Sequence, residues 1–356
     1  MSKQLVIITA VFIGLVGSGT AVALDGSGTE QDPWRIRSLE DFNDFAADPN
    51  YWADFTRLET DVNLAGLTYT TAVIAPDTDA INLGHQGIDF TGVFDGNDHK
   101  ILNMTVDDGG AGNDFMGMFG NIDNGEVKNL GLEGGSVSGD GAVGGLMGGN
   151  RDYGIVSNCY STGDVKGSLT VGGLIGIVVG GSWISNCYST GDVSGTGDHI
   201  GGLVGYIEGV VSNCYSTGSV NGEDYVGGLV GQNVGSSISN CYSTGDVNGV
   251  ELVGGLVGWN GGSFWNCFWD IETSGEPNMC GNEHPLCDNS YGKTTDEMQT
   301  RSTFTDTGWD FINVWGIGEN QTYPYLRTFL AGDINKDGIV NFLDLSIMAN
   351  QWMEEQ

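Results

Sequence analysis

Val143-Gly-Gly-Leu-Met-Gly148 returns as Val171–Gly176, Ile200–Gly205, Val226–Gly231 and Val253–Gly258. From Gly144 to Gly172, Gly201, Gly227 and Gly254 the steps are 28, 29, 26 and 27 residues. Between these units runs Ser157-Asn-Cys-Tyr-Ser-Thr-Gly-Asp-Val165, repeated from Ser185, Ser212 and Ser239 and degraded to Trp265-Asn-Cys-Phe-Trp-Asp270. A period of this size is that of a solenoid, in which one supersecondary unit stacks on the next. Val, Ile, Leu, Tyr and Thr runs are cut every few residues by Gly, Asn, Asp and Ser, so the unit reads as short strands joined by tight turns. The expected fold is all-β, a parallel β-helix.

Weaker copies extend the array toward the N-terminus. Phe115-Met-Gly-Met-Phe-Gly120 aligns with Val143–Gly148, and Val127-Lys-Asn-Leu-Gly-Leu132 with Val156–Ser161. Phe90–Phe94 and Ile101–Val106 fill the same slots, for about seven coils with the last one incomplete. The Cys159 column then holds Met104 and Leu130, and the Ser161 column holds Val106 and Leu132. Residues two apart on a strand share a face, so both columns point inward. Leu146, Leu174, Leu203, Leu229 and Leu256 stack inside. The column between holds Tyr160, Tyr188, Tyr215 and Tyr242 and points out, with Asp164, Asp192 and Asp246 further along. This exposed file is a candidate glycan or protein contact surface; the plainer reading is that Tyr suits an outer strand position and stacks on its neighbours. The Asn column (Asn103, Asn129, Asn158, Asn186, Asn213, Asn240, Asn266) reads as a turn ladder, its amides bonding from coil to coil.

The flanks divide as follows. Residues 1–23 carry Lys3, an apolar run from Leu5 to Val16, then Ala21-Val-Ala23, the pattern of a secretory signal cleaved after Ala23. Residues 24–89 are an N-terminal cap that blocks the bare edge of the first coil. In it Ser38 caps a short amphipathic helix, with Asp41 in the reciprocal capping position. Residues 90–270 are the array, and 271–331 a C-terminal cap whose Trp309, Phe311, Trp315 and Tyr323 are suited to plug the last coil. The mature chain has no membrane span.

Composition narrows the function. There are 61 Gly, 39% hydrophobic and 16% charged residues, which suits a turn-dense β protein with a core. A net charge of −34, from 46 acids against 12 bases, argues against nucleic acid or an anionic membrane as partner. Cys280 and Cys287 enclose a short loop and are expected to form a disulfide in an exported protein. The repeat cysteines (Cys159, Cys187, Cys214, Cys241, Cys267) share a column with apolar residues and read as buried free thiols.

The Gly-Gly-Leu-x-Gly units with Ser-Asn-Cys-Tyr-Ser-Thr-Gly resemble the GLUG-motif repeat family of secreted bacterial proteins. The flanking Gly92–His99, Lys293–Gln299 and Gly308–Phe311 resemble that family's usual companions. The resemblance implies a right-handed parallel β-helix that is extracellular or at the cell surface; it implies no particular activity, and adhesin-like roles are suspected for the family.

The tail, 332–356, carries the sharpest chemistry. Asp333, Asn335, Asp337, Asn341 and Asp344 stand at loop positions 1, 3, 5, 9 and 12, with Gly338 at 6 and the Ile339 carbonyl at 7, a set of oxygens suited to Ca²⁺. This resembles one calcium loop and helix of a type I dockerin, which implies a cohesin-type domain as partner. A dockerin has two such repeats, and one is present here.

An enzyme would need more. Two carboxylates across a cleft would serve glycoside hydrolysis, yet Asp164, Asp192 and Asp246 sit in an exposed repeat position. The coils carry few bases (Arg151, Lys166), and His85, His99, His199 and His284 share no register. The reading is a secreted, non-catalytic repeat protein with an adhesion, interaction or structural role and a calcium-binding tail. Two alternatives are an ancillary glycan-binding module of polysaccharide degradation and a divergent β-helical carbohydrate-active enzyme.

Overall fold

A computed structural model describes residues 24–79 and 84–327; the signal segment and the calcium loop lie outside the described residues. The chain is a parallel β-solenoid of about six turns. One turn is laid down by the strands Gly141–Gly144, Met147–Arg151, Ile155–Ser161 and Asp164–Gly167. The repeat then places like residues in register: Val143, Val171, Ile200, Val226 and Val253 in one ladder, and Val156, Ile184, Val211 and Ile238 in another. Val165, Val193, Val220 and Val247 form a third. Leu146, Leu174, Leu203, Leu229 and Leu256 are fully buried, and each amide from Leu146 to Leu229 donates to the next leucine's carbonyl. Each such leucine contributes about 2 kcal/mol by leaving water.

The three glycines of each Gly-Gly-Leu-x-Gly are required by space. A Cβ on the first, Gly201, would stand 2.0 Å from the Val204 carbonyl oxygen. On the second, Gly202, it would stand 2.1 Å from the Gly228 oxygen and 2.8 Å from Ser216 Oγ, which points in from the opposite wall. On the third, Gly205, it would meet the Thr170 carbonyl carbon at 2.7 Å. The chain reverses so tightly here that backbone packs on backbone, and the small Ser161, Ser189, Ser216 and Ser243 fill what room is left.

The asparagine corner is a left-handed turn in each coil from Asn129 onward: Asn129, Asn158, Asn186, Asn213, Asn240 and Asn266 have φ between 51° and 54°. Asn tolerates this conformation better than other residues with a Cβ. Asn158 Nδ2 donates to Asn129 Oδ1 at 3.0 Å, and Asn186 to Asn158 at 3.2 Å. Asn240 and Asn266 continue the ladder, which is interrupted where the Asn186 carbonyl oxygen is buried without a partner.

Early coils depart from the expected alignment. Leu130 and Leu132 lie beneath Cys159 and Ser161 as expected. Val106, however, pairs with Val137 in the Val165 ladder, and Ile101 takes the slot beside Leu132. Asn103 bonds to Asn63 rather than joining the Asn129 file, whose lower neighbour is Asp95. Phe94 sits beside Val127, and Met116, not Phe115, pairs with Val143. The turn at Gly96–His99 and a unit one residue shorter at 115–120 shift these registers; the buried residues still face inward.

At the N-terminal end the helix Leu39–Ala47 buries Phe42 and Phe45. Ser38 Oγ accepts from the Asp41 amide, and the Asp41 carboxylate accepts from the Arg37 amide. Parallel pairing starts earlier than residue 90: Trp34–Ile36 pairs with Phe55–Leu58, which pairs with Val93–Asp95. At the other end, Trp269 fills the last coil, Cys280 pairs with Val257, and Gly292 pairs with Trp269. The plug is therefore residues 278–293, stapled by the Cys280–Cys287 disulfide.

Candidate functional site

The tyrosine file is not an open surface. Tyr160, Tyr188, Tyr215 and Tyr242 stack with ring centroids 4.7, 4.8 and 5.0 Å apart and within 6° of parallel. Tyr242 is only 1% exposed and Tyr160 only 7%. The earlier part of the C-terminal cap plugs the end, but its later part, from Met298 to Leu326, packs on the outer face of the solenoid over this file. Trp315 packs 6.2 Å from Tyr215 and 6.1 Å from Tyr242, with Trp309 beside it. Met298, Phe304, Phe311 and Leu326 complete this second core. Tyr242 donates to the Pro324 carbonyl, and Tyr160 donates to Glu133 at 2.7 Å. Burial pushes all four phenols well up from their ordinary range.

Asp270 ties cap to coil. Its buried carboxylate accepts from the amides of Glu272 and Thr273 and from the hydroxyls of Thr295 and Tyr323. Tyr323 is pushed up to about 12, by burial first and then by that bond. An aromatic-rich tail after an array of tyrosines was the available signal: a run of Trp and Phe needs an apolar face to cover, and the tyrosine file is the face it finds.

Asp164, Asp192 and Asp246 are exposed, as expected. Their carboxylates serve the turn: Asp164 accepts from the Asp192 amide at 3.1 Å, Asp192 from the Ser219 amide at 2.9 Å, and Asp246 from Asn248 Nδ2. No group of three or more His, Cys, Asp and Glu among the described residues is arranged to hold a metal ion. The five repeat cysteines are buried free thiols. Cys187 Sγ accepts from the Cys159 amide at 3.4 Å, and the same step recurs at Cys214 and Cys241. Burial pushes the Cys159, Cys214 and Cys267 thiols up.

The histidines occupy separate places. His85 stands 2.8 Å from Asp89, the pairing a catalytic base would use, but its other nitrogen bonds the Ala75 carbonyl, so neither faces a nucleophile. His99 pairs with Asp61, and His284 with Asn260. His199 packs on Tyr225 at 4.9 Å, and burial lowers it. A polar cavity of about 620 Å³ lies in the disulfide loop, lined by Asn278, Asn282, Glu283 and His284 among others.

One outer feature escaped the sequence reading. Ile155, Trp183, Val210 and Ser237 form a ladder on the solvent face, and Trp183 is 58% exposed. Beside it Tyr153 is 71% exposed. Asp152 and Tyr153 have φ of 51° and 70°, while the matching turn of the next coil is Gly180-Gly181, at 69° and 75°. An aromatic residue thus holds a backbone conformation that the neighbouring coil gives to glycine. The signal was the long 29-residue step, which contains the Gly180-Gly181 pair and Trp183.

Four consecutive stretches, residues 139–166, 167–194, 196–221 and 222–248, match the family model described as the GLUG motif. The coils within these four stretches carry the GLUG motif. Part of the chain is 30% identical over 152 residues to halomucin of Haloquadratum walsbyi, a match covering 42% of this chain. Another match, 36% over 75 residues and 20% of this chain, is to a candidate Gly-rich membrane protein of Evansella cellulosilytica. The matched regions span only 2% and 8% of those relatives. The crystal structure of a candidate immunoglobulin A1 protease from Bacteroides ovatus superposes with a TM-score of 0.62 over 85% of this chain and 94% of that one. At 23% identity this likeness shows the fold alone. No helix among the described residues is long and apolar enough to cross a membrane.

Proposed function

We propose that the protein is an extracellular or cell-surface repeat protein with an adhesive or structural role and no catalytic one. The observation that carries this reading is the solenoid itself: stacked coils present in-register outer columns, and the carboxylates of the Asp164 file and His85 are spent on holding that framework. The likeness to halomucin and to a Gly-rich membrane protein supports a surface repeat protein, and residues 1–23 have the pattern of an export signal. Expressed from its full gene, the chain should be recovered from the medium or be released by protease treatment of intact cells. Recovery solely from the cytosol would overturn the proposal.

The tail is the second part of the reading. Asp333, Asn335, Asp337, Asn341, Asp344 and the Ile339 carbonyl bind one Ca²⁺. Affinity falls in the range of weak sensors and extracellular modules, roughly 10⁻⁵–10⁻³ M. A cohesin-type partner, and with it recruitment to polysaccharide degradation, is the alternative role of this segment. Calorimetry should find one site in the wild type and none in Asp337→Ala; no heat at millimolar calcium would remove the tail from the function.

A further inference from the structure

The exposed ladder at Trp183 combines three features. It is apolar: Tyr153, Ile155 and Trp183 are 71%, 43% and 58% exposed. It is flat, because Ile155, Trp183 and Val210 stand in register on one sheet face. And it is held at a conformational cost, since Tyr153 occupies a left-handed position that the next coil fills with glycine. Strain of this kind persists where the rest of the fold enforces it, and such outliers cluster at binding sites.

The surroundings limit what can bind. Two residues along each strand, and so on the same face, run the half-buried Ser157, Ser185 and Ser212. Asp152 and Glu208 are exposed at the edge. Of the nearby cations, Lys128 is paired with Glu126 at 3.1 Å, and Arg151 is turned to Asn121 Oδ1 at 3.2 Å and to the Phe115 ring. Hydroxyls and carboxylates beside aromatic faces suit a ligand rich in hydroxyl groups, and a chain of charge −34 repels an acidic one. A stable protein partner would engage some 20–30 residues a side; a strip four apolar side chains wide is the size of a few sugar rings. Coils repeat every 4.7–5.0 Å, as the tyrosine stack measures, close to the step of one sugar in an extended chain.

We propose that Tyr153, Ile155, Trp183 and Val210, with the adjacent serine file, form a platform for an uncharged polysaccharide chain lying along the solenoid axis. The ring faces of Trp183 and Tyr153 stack on sugar rings, and Ser185, Ser212 and Asp152 take their hydroxyls. This gives a ligand class to the surface role proposed above and rests on it.

The test is affinity electrophoresis of the full chain through native gels containing mixed-linkage β-glucan, xyloglucan, galactomannan or polygalacturonate. At least one neutral glycan should retard the protein, and polygalacturonate should not. Trp183→Ser should abolish the retardation. Tyr153→Gly should weaken it about tenfold, the loss of one aromatic stacking partner. Glycine suits φ of 70°, so the melting temperature of Tyr153→Gly should not fall, which separates lost binding from lost fold. Ile312→Ser, an exposed apolar residue on the cap, should bind as wild type. No retardation by any neutral glycan, equal retardation of wild type and both platform variants, or stronger retardation by polygalacturonate would each overturn the proposal. A chain that is found outside the cell yet passes all gels freely would sink this platform and leave the surface role standing.

Discussion

Raising the pH tests the placement of the tyrosine stack. Tyr242 is buried and Tyr215 half-buried among Trp309, Trp315 and each other, and burial pushes both phenols well above their ordinary value. The neutral form is favoured in the folded state, so folding keeps protons that the unfolded chain releases near pH 10. A group raised in this way contributes stability that is complete below the unfolded value and is lost as pH climbs toward the folded one. For each such phenol the slope is about 1.4 kcal/mol per pH unit, so the pair drains roughly 2.7 kcal/mol per unit above pH 10. Against a domain stability of about 5–15 kcal/mol, the cap or the whole solenoid gives way within a few units. Tyrosinate absorbance should therefore rise in two phases. The exposed tyrosines among the 12 titrate first, and the buried ones ionise only as the β-sheet circular dichroism collapses. Trp315→Ala should move the second phase to lower pH. If all tyrosines ionise together near pH 10 while the β signal is intact, the stack is open to water and the cap is misplaced.

Three further outcomes follow from the same contacts. Cys214→Ala should cost about 2 kcal/mol in urea unfolding, because it opens a small cavity and strips the buried Cys187 amide of its acceptor; non-reducing peptide mapping should recover only Cys280–Cys287. Gly202→Ala should cost about 3 kcal/mol or prevent folding, since its Cβ would press on a backbone oxygen that cannot move away; a melting curve like wild type would refute the tight reversal. Asp270→Ala should destabilise the chain by about 3 kcal/mol and make the cap the first site of limited proteolysis, because four donors lose one acceptor.

The interior of the solenoid was legible from residue types alone. A column holding Leu130, Cys159, Cys187 and Cys214 can only face inward, and registers that follow motif to motif gave the ladders, the free thiols and the asparagine corner. Legibility failed where the period breaks. The Gly96–His99 turn moved Val106 and Asn103 to other columns, because an inserted turn changes which residues stand above one another without changing which are apolar.

The outer face failed for a different reason. Inside, each side chain is constrained by its own coil and its two neighbours, so the repeat determines burial. Outside, exposure depends on what the rest of the chain lays over the coil, and no local pattern records that. Tyr215 and Tyr242 look identical in sequence to a solvent-facing ladder, yet Trp309 and Trp315, some 70 residues past the last of them, decide otherwise. Trp183 is the converse: a single residue in a column of Ile, Val and Ser, whose register says nothing of function until the turn beside it places Tyr153 at φ of 70°. The repeated tyrosines hold the cap, and the unrepeated Trp183 is left in water. In a solenoid with a wrapped tail, recognition is therefore to be sought where the repeat is broken rather than where it is most regular.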